Sequence, residues 1–128
     1  MYVPKSILSV PSAPNALGPY SPAVEASGFV FLSGQVGIDP ATGESVGDDV
    51  VAQVHRIMAN IGAMLGDVGL DYDDIVKTTI FLADIADFPV VNEAYAGYVG
   101  EARPARSTVQ VAALPGGFRV EIEVIAAR

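Results

Sequence analysis

Hydrophobic positions in this chain switch between two spacings, and the switches mark out its elements. From Asp48 to Val68, residues Val50, Val54, Ile57, Ile61, Met64 and Val68 recur at three- and four-residue steps, the apolar stripe of an amphipathic helix. Asp48 suits its N-terminal cap and Gly69 its C-terminal stop. A second stripe of Phe88, Val91, Tyr95 and Tyr98 predicts a helix over Phe88 to Val99, capped by Asp87 and closed by Gly100. Pro89 is tolerated in its first turn, where no N–H is needed. Elsewhere the pattern is that of strands. Ala23 to Ala26 and Phe29 to Gly34 read as a hairpin about Ser27-Gly28, and Ile75 to Leu82 as a β-branched strand. Arg103 to Val111 and Val120 to Ala126 give two more. Residues up to Val10 predict a short edge strand, bounded by Pro4 and Pro11.

Between the last two strands, Leu114-Pro115-Gly116-Gly117 carries turn chemistry, which predicts that they pair as an antiparallel return. Side chains alternate across a strand, so Arg106, Thr108 and Gln110 share one face, and Ser107, Val109 and Val111 the other. On the last strand Glu121, Glu123 and Ile125 oppose Val120, Ile122, Val124 and Ala126. Two helices can cover only one face of such a sheet. The uncovered face is then expected to carry Phe29, Phe31 and Ile125 beside Arg106, Thr108, Glu121 and Glu123. A guanidinium and two carboxylates on one apolar surface suit a small anionic substrate at a subunit junction. Alternation alone favours a plain cross-strand ion pair of Arg106 with Glu121 or Glu123.

The remaining segments add less. Pro11 to Pro22 is a proline-rich loop whose restricted φ angles either hold Tyr20 in a defined place or make an ordinary surface loop. Asp39 to Glu44 is a turn without the ligand spacing of a calcium loop, and Leu70 to Asp74 is an acidic connection. His55, the single histidine, flanks the first helical stripe as a solvated side chain.

A chain of 128 residues makes one domain, spanning residues 1–128, with a real core. Its hydrophobic content of 51% includes no run near the roughly 20 residues of a membrane span, so buried surface between subunits explains the excess. The first eleven residues are too broken an apolar patch for a secretory signal. A formal charge of −8 with seven scattered basic residues argues against nucleic acid as a partner. Without cysteine there is no disulfide, thiolate metal site or thiol nucleophile, a composition compatible with the cytoplasm.

The motifs Gly18-Pro19-Tyr20, Ser33-Gly34-Gln35, Asp39-Pro40 with Thr42-Gly43-Glu44, and Asp74-Ile75-Val76-Lys77-Thr78-Thr79 occur in that order. Val91-Asn92-Glu93-Ala94-Tyr95, Arg103-Pro104-Ala105-Arg106-Ser107 and Val120-Glu121-Ile122-Glu123 follow. Each is weak by itself; together, and so spaced, the set closely resembles the RidA/YjgF family of reactive-intermediate (enamine/imine) deaminases. The resemblance implies a chorismate-mutase-like α+β protomer, with a mixed sheet and two helices on one face. It further implies a homotrimer with a central barrel and active clefts between subunits. The implied reaction is hydrolysis of 2-aminoacrylate or 2-iminopropionate to the 2-oxo acid and ammonia, without metal or cofactor.

Carried over residue by residue, the family's carboxylate anchor falls on Arg106, whose guanidinium grips a planar carboxylate with two parallel hydrogen bonds. Glu121 falls on the glutamate that handles the attacking water, and Tyr20 stands beside it as a third catalytic candidate. Ser33, Gly34 and Asn92 fall on cleft-lining positions, joined by Ser107 and Thr108 next to Arg106. Three departures bear on specificity and loop rigidity. Thr108 stands at a frequent cysteine position, Gly37 at a frequent proline, and Pro22 at a frequent polar residue. The competing reading is a non-catalytic trimeric binder of small carboxylates or a regulatory partner. Ribonuclease activity, attributed to some relatives, fits the acidic charge poorly.

Overall fold

A computed structural model describes residues 4–128. Among the described residues six strands and two α-helices follow one another, with three single-turn 3-10 helices in the connections: β1 (Ser6–Ile7), β2 (Ala23–Ala26), β3 (Phe29–Gln35), α1 (Val50–Asp67), β4 (Ile75–Leu82), α2 (Phe88–Val99), β5 (Ala105–Gln110) and β6 (Val120–Ala127). The strands form one mixed sheet in the order β1-β2-β3-β6-β4-β5. Among the described residues only the β4–β5 pair is parallel, as α2 crossing over between them requires. The first three residues of the expected edge strand lie outside the described residues; its paired part is Ser6–Ile7.

The β2–β3 hairpin turns at Ser27 and Gly28, with φ angles of 53° and 81°, the left-handed pair such a tight turn demands. Helix α1 begins one residue later than its stripe suggested. Asp49, not Asp48, caps it by accepting the Ala52 N–H at 2.9 Å. Gly69 ends it at φ 79°, where the Leu70 N–H returns to the Leu65 carbonyl. Asp87 precedes α2 without capping it, because its carboxylate accepts instead from Arg119 Nη2 at 2.8 Å.

Both helices lie on one face. Val54, Ile57, Ile61, Met64 and Leu65 of α1 pack on Val30, Leu32, Ile80, Leu82, Ile122 and Val124 of the sheet. Each such side chain contributes about 1.5–3 kcal/mol by leaving water. The opposite face stays open. Phe29 and Phe31 are 44% and 42% exposed there, with Phe81, Val109 and Ile125 on the same side. No helix among the described residues is long and apolar enough to cross a membrane.

The expected β5–β6 pairing does not form. β4 lies between them, pairing parallel with β5 and antiparallel with β6. The turn between the two strands does reverse the chain, but β6 fills the slot that β3 and β4 leave open, and β5 takes the outer edge of β4.

Candidate active site

The strand order decides which side chains meet. Arg106 sits opposite Thr78, and Thr78 opposite Val124. Thr78 and Val124 are buried under the helices, so Arg106 belongs to the helix-covered side. Val109 sits opposite Phe81, and Phe81 opposite Glu121, on the open side. Arg106 and Glu121 therefore lie on opposite faces of the sheet within one chain. This corrects the expectation of a single charged face, and it removes the cross-strand ion pair as well. Thr108 goes with Arg106, and Ser107 with Glu121 and Glu123.

The glutamate half is built on a bulge. Between Leu32, opposite Val124, and Gln35, opposite Ile122, β3 carries one residue more than β6. Both flanking residues face the core, so Ser33 and Gly34 are left beside Glu121. A methyl group on Gly34 would lie 2.8 Å from Glu121 Cδ, closer than nonbonded atoms approach, so only glycine lets the carboxylate rest there. Tyr20, Ser33, Gly34 and Glu121 line a cavity of about 450 Å³, whose other walls include Leu17 and Phe118. The Ser33 hydroxyl donates to the Ser21 carbonyl at 2.7 Å, which leaves its oxygen free to accept from a ligand N–H or water. Tyr20 is half-exposed, with its hydroxyl accepting the Leu17 N–H at 3.4 Å. Burial raises the Glu121 carboxyl above the ordinary carboxylate range, and the Glu123 charge two residues on adds to the shift.

The arginine half is built by α2. Phe88, Asn92 and Tyr95 fall on one side of the helix at steps of four and three residues. The Arg106 guanidinium carbon lies 5.5 Å from the Phe88 ring centroid and 5.4 Å from that of Tyr95, within cation–π range of both. Arg106 Nη1 donates to Asn92 Oδ1 at 2.6 Å. Below it, the buried Thr78 and Tyr95 hydroxyls share a hydrogen bond of 2.7 Å. Burial raises the Tyr95 phenol, partly offset by that bond and by the Arg106 charge. Asn92, Tyr95, Arg103 and Arg106 line a groove of about 690 Å³. The Thr108 hydroxyl is buried with no hydrogen-bond partner.

Sequence reasoning did not single out Phe88 and Tyr95 as neighbours of Arg106, because their spacing is equally that of a core stripe. His55 shares a 2.7 Å hydrogen bond with the Tyr98 hydroxyl and lines neither the cavity nor the groove.

A family model described as Endoribonuclease L-PSP matches residues 10–128. The chain belongs to this family. Relatives named as reactive intermediate deaminases and as Rid proteins support the RidA/YjgF family. Reactive Intermediate Deaminase A, chloroplastic, of Arabidopsis thaliana is 52% identical over 97% of this chain; the chain spans 66% of that protein. The mouse 2-iminobutanoate/2-iminopropanoate deaminase is 47% identical over 95% of this chain and 90% of its own length. Among solved structures, the Rid family protein YyfA from Yersinia pestis superposes with a TM-score of 0.93 at 46% identity, covering 98% of this chain and all of that one. The RidA-like α+β protomer is thus shared along the whole fold.

Proposed function

We propose that this chain hydrolyses reactive 2-imino and 2-enamino acids of the 2-iminopropionate type to 2-oxo acids and ammonia, in clefts between the subunits of a homotrimer. The relatives named as deaminases support the chemistry. One observation carries the shared cleft: the carboxylate anchor and the water-handling glutamate stand on opposite faces of one sheet. A neighbour must supply the missing half. The exposed aromatic face of Phe29 and Phe31 is the surface by which three copies close their sheets into a central barrel.

In the joined cleft, Arg106 grips the substrate carboxylate with the guanidinium edge that Asn92 leaves free. Each charge-assisted bond contributes about 1.5–3 kcal/mol. Glu121 of the other subunit accepts a proton from a water as its oxygen attacks the protonated imine carbon. Tyr20 and Ser33 orient that water and the nitrogen. The resulting carbinolamine takes a proton on nitrogen, relayed from Glu121 through water. Its C–N bond then breaks, the hydroxyl proton is lost, and 2-oxo acid and ammonia leave. A raised carboxyl suits this two-way traffic, because it accepts a proton readily and keeps it until the leaving nitrogen needs it. Thr108 and Ser107 complete the two halves, one beside each charge.

The alternative of a non-catalytic carboxylate binder requires only Arg106. The tight seating of Glu121 against Gly34 favours the enzyme. Nucleic acid is no part of this reading: Arg119 and Arg128 are held by Asp87 and Glu25, and a formal charge of −8 opposes a phosphate backbone. A membrane partner is likewise left out, and the cytoplasm is the assigned compartment. The test is decay of 2-iminopropionate generated by an amino-acid oxidase and trapped with semicarbazide. Wild type accelerates decay and Arg106→Ala does not; equal turnover by both removes Arg106 from the role.

A further inference from the structure

We propose that the groove holding Arg106 contains a second anion anchor, Arg103, which extends the site to 2-imino dicarboxylates, the imines of acidic amino acids. The inference rests on the deaminase reading above. Arg103 and Arg106 line the same groove, with Asn92, Tyr95, Gly100 and Pro104 around them and no carboxylate among the lining residues. In a chain of formal charge −8 this juxtaposition is unusual. Arg119 and Arg128 are engaged by Asp87 and Glu25, and Arg56 donates to Asn60. Among the described residues neither Arg103 nor Arg106 has an ion-pair partner.

One carboxylate satisfies Arg106, whose other edge already holds Asn92. Arg103 then remains as a second cation at the lip of the groove. Its backbone is held in the left-handed region at φ 44°, costly for a residue with a side chain. The Arg103 N–H bonds to the Val99 carbonyl at 3.1 Å, and Pro104 restricts the chain beyond. The root of the side chain is therefore fixed rather than carried on a loose loop. The carbonyl end of α2 lies beside it and favours a cation there. That end carries only a partial negative charge, so two full positive charges still set the sign of the groove. A substrate with one carboxylate at C1 and a second at the end of its side chain matches two anchors; an alkyl side chain leaves Arg103 unused.

The experiment compares kcat/KM for imines made in situ from aspartate or glutamate with that for the imine of alanine, using wild type, Arg103→Gln and Arg103→Lys. Because Arg103 is exposed, the contribution is that of a solvated charge-assisted contact. Arg103→Gln is expected to lower the dicarboxylate-to-monocarboxylate ratio of kcat/KM about tenfold, and Arg103→Lys to restore most of it. Calorimetry supplies a readout independent of turnover: 2-oxoglutarate binds wild type more tightly than pyruvate does, and Arg103→Gln removes the difference. Equal losses on both substrates, or none, overturn the proposal. Turnover of the alanine imine without the acidic ones overturns it and leaves the deaminase reading standing. Preferential binding of 2-oxoglutarate with no turnover of any imine upholds the anchor and overturns the deaminase reading alone.

Discussion

Replacing Gly34 by alanine separates the glutamate's chemistry from the stability of the fold. The new methyl would stand 2.8 Å from Glu121 Cδ and 3.1 Å from its Cγ, against ordinary contacts of about 3.5–4.0 Å. The strained neighbour is the end of a half-buried side chain, not backbone, so the carboxylate turns away and the sheet stays put. Turning it off its rotamer costs about 0.5–1.5 kcal/mol, a shift of only a few degrees in Tm. The kinetic loss is larger, because positioned acid–base catalysis contributes about 10²–10⁴-fold. Gly34→Ala is therefore expected to lower kcat on 2-iminopropionate by about a hundredfold. KM should change little, since Arg106, the proposed carboxylate anchor, lies on the other face. Glu121→Gln should lose as much alone as combined with Gly34→Ala, because both remove one function. Undiminished kcat in Gly34→Ala, with thermal unfolding showing a folded protein, would refute the assignment of Glu121 as the water-handling group.

Two further outcomes follow from the halves of the site. Tyr95→Phe keeps the ring under Arg106 but strips the buried Thr78 hydroxyl of its partner, at a cost of about 1–3 kcal/mol in stability. With the cradle loosened, KM should rise several-fold while kcat holds, measured beside urea unfolding; unchanged KM would show that the aromatic face does not position the anchor. The raised Glu121 carboxyl binds its proton more tightly in the folded state, through burial and then Glu123. Its favourable contribution is present below the unfolded-state value and is lost as pH rises through the raised one. Glu121→Gln should accordingly melt above wild type at neutral pH and lose that advantage in acid, and a pH-independent difference in Tm would contradict burial of the carboxyl as the cause.

Much of the fold was legible in the chain because each element carries its own period. The stripe of α1, the left-handed turn at Ser27-Gly28 and the strand from Ile75 to Leu82 need no partner to be recognised. Sheet order is a different kind of information. The Leu114 to Gly117 turn fixes that the chain reverses, but not that β4 has already taken the place beside β5. Register then sends Arg106 to the covered face and Glu121 to the open one, a parity that pairing decides and alternation cannot. The bulge at Ser33-Gly34 was hidden for a similar reason, since an extra residue shows only against its partner strand. Asp87 looked like a helix cap until Arg119, distant in sequence, claimed its carboxylate.

The central claim is that each cleft draws Arg106 from one subunit and Glu121 from its neighbour. The most direct measurement mixes Arg106→Ala and Glu121→Gln subunits, each expected to be inactive alone, by joint unfolding and refolding at equal amounts. Random assembly into rings places an intact arginine beside an intact glutamate in about one quarter of the clefts. The mixture should then recover about a quarter of wild-type turnover of 2-iminopropionate, with neither variant active when refolded by itself. A mixture as inactive as its components, in trimers shown by light scattering and mass spectrometry to contain both chains, would contradict the shared site.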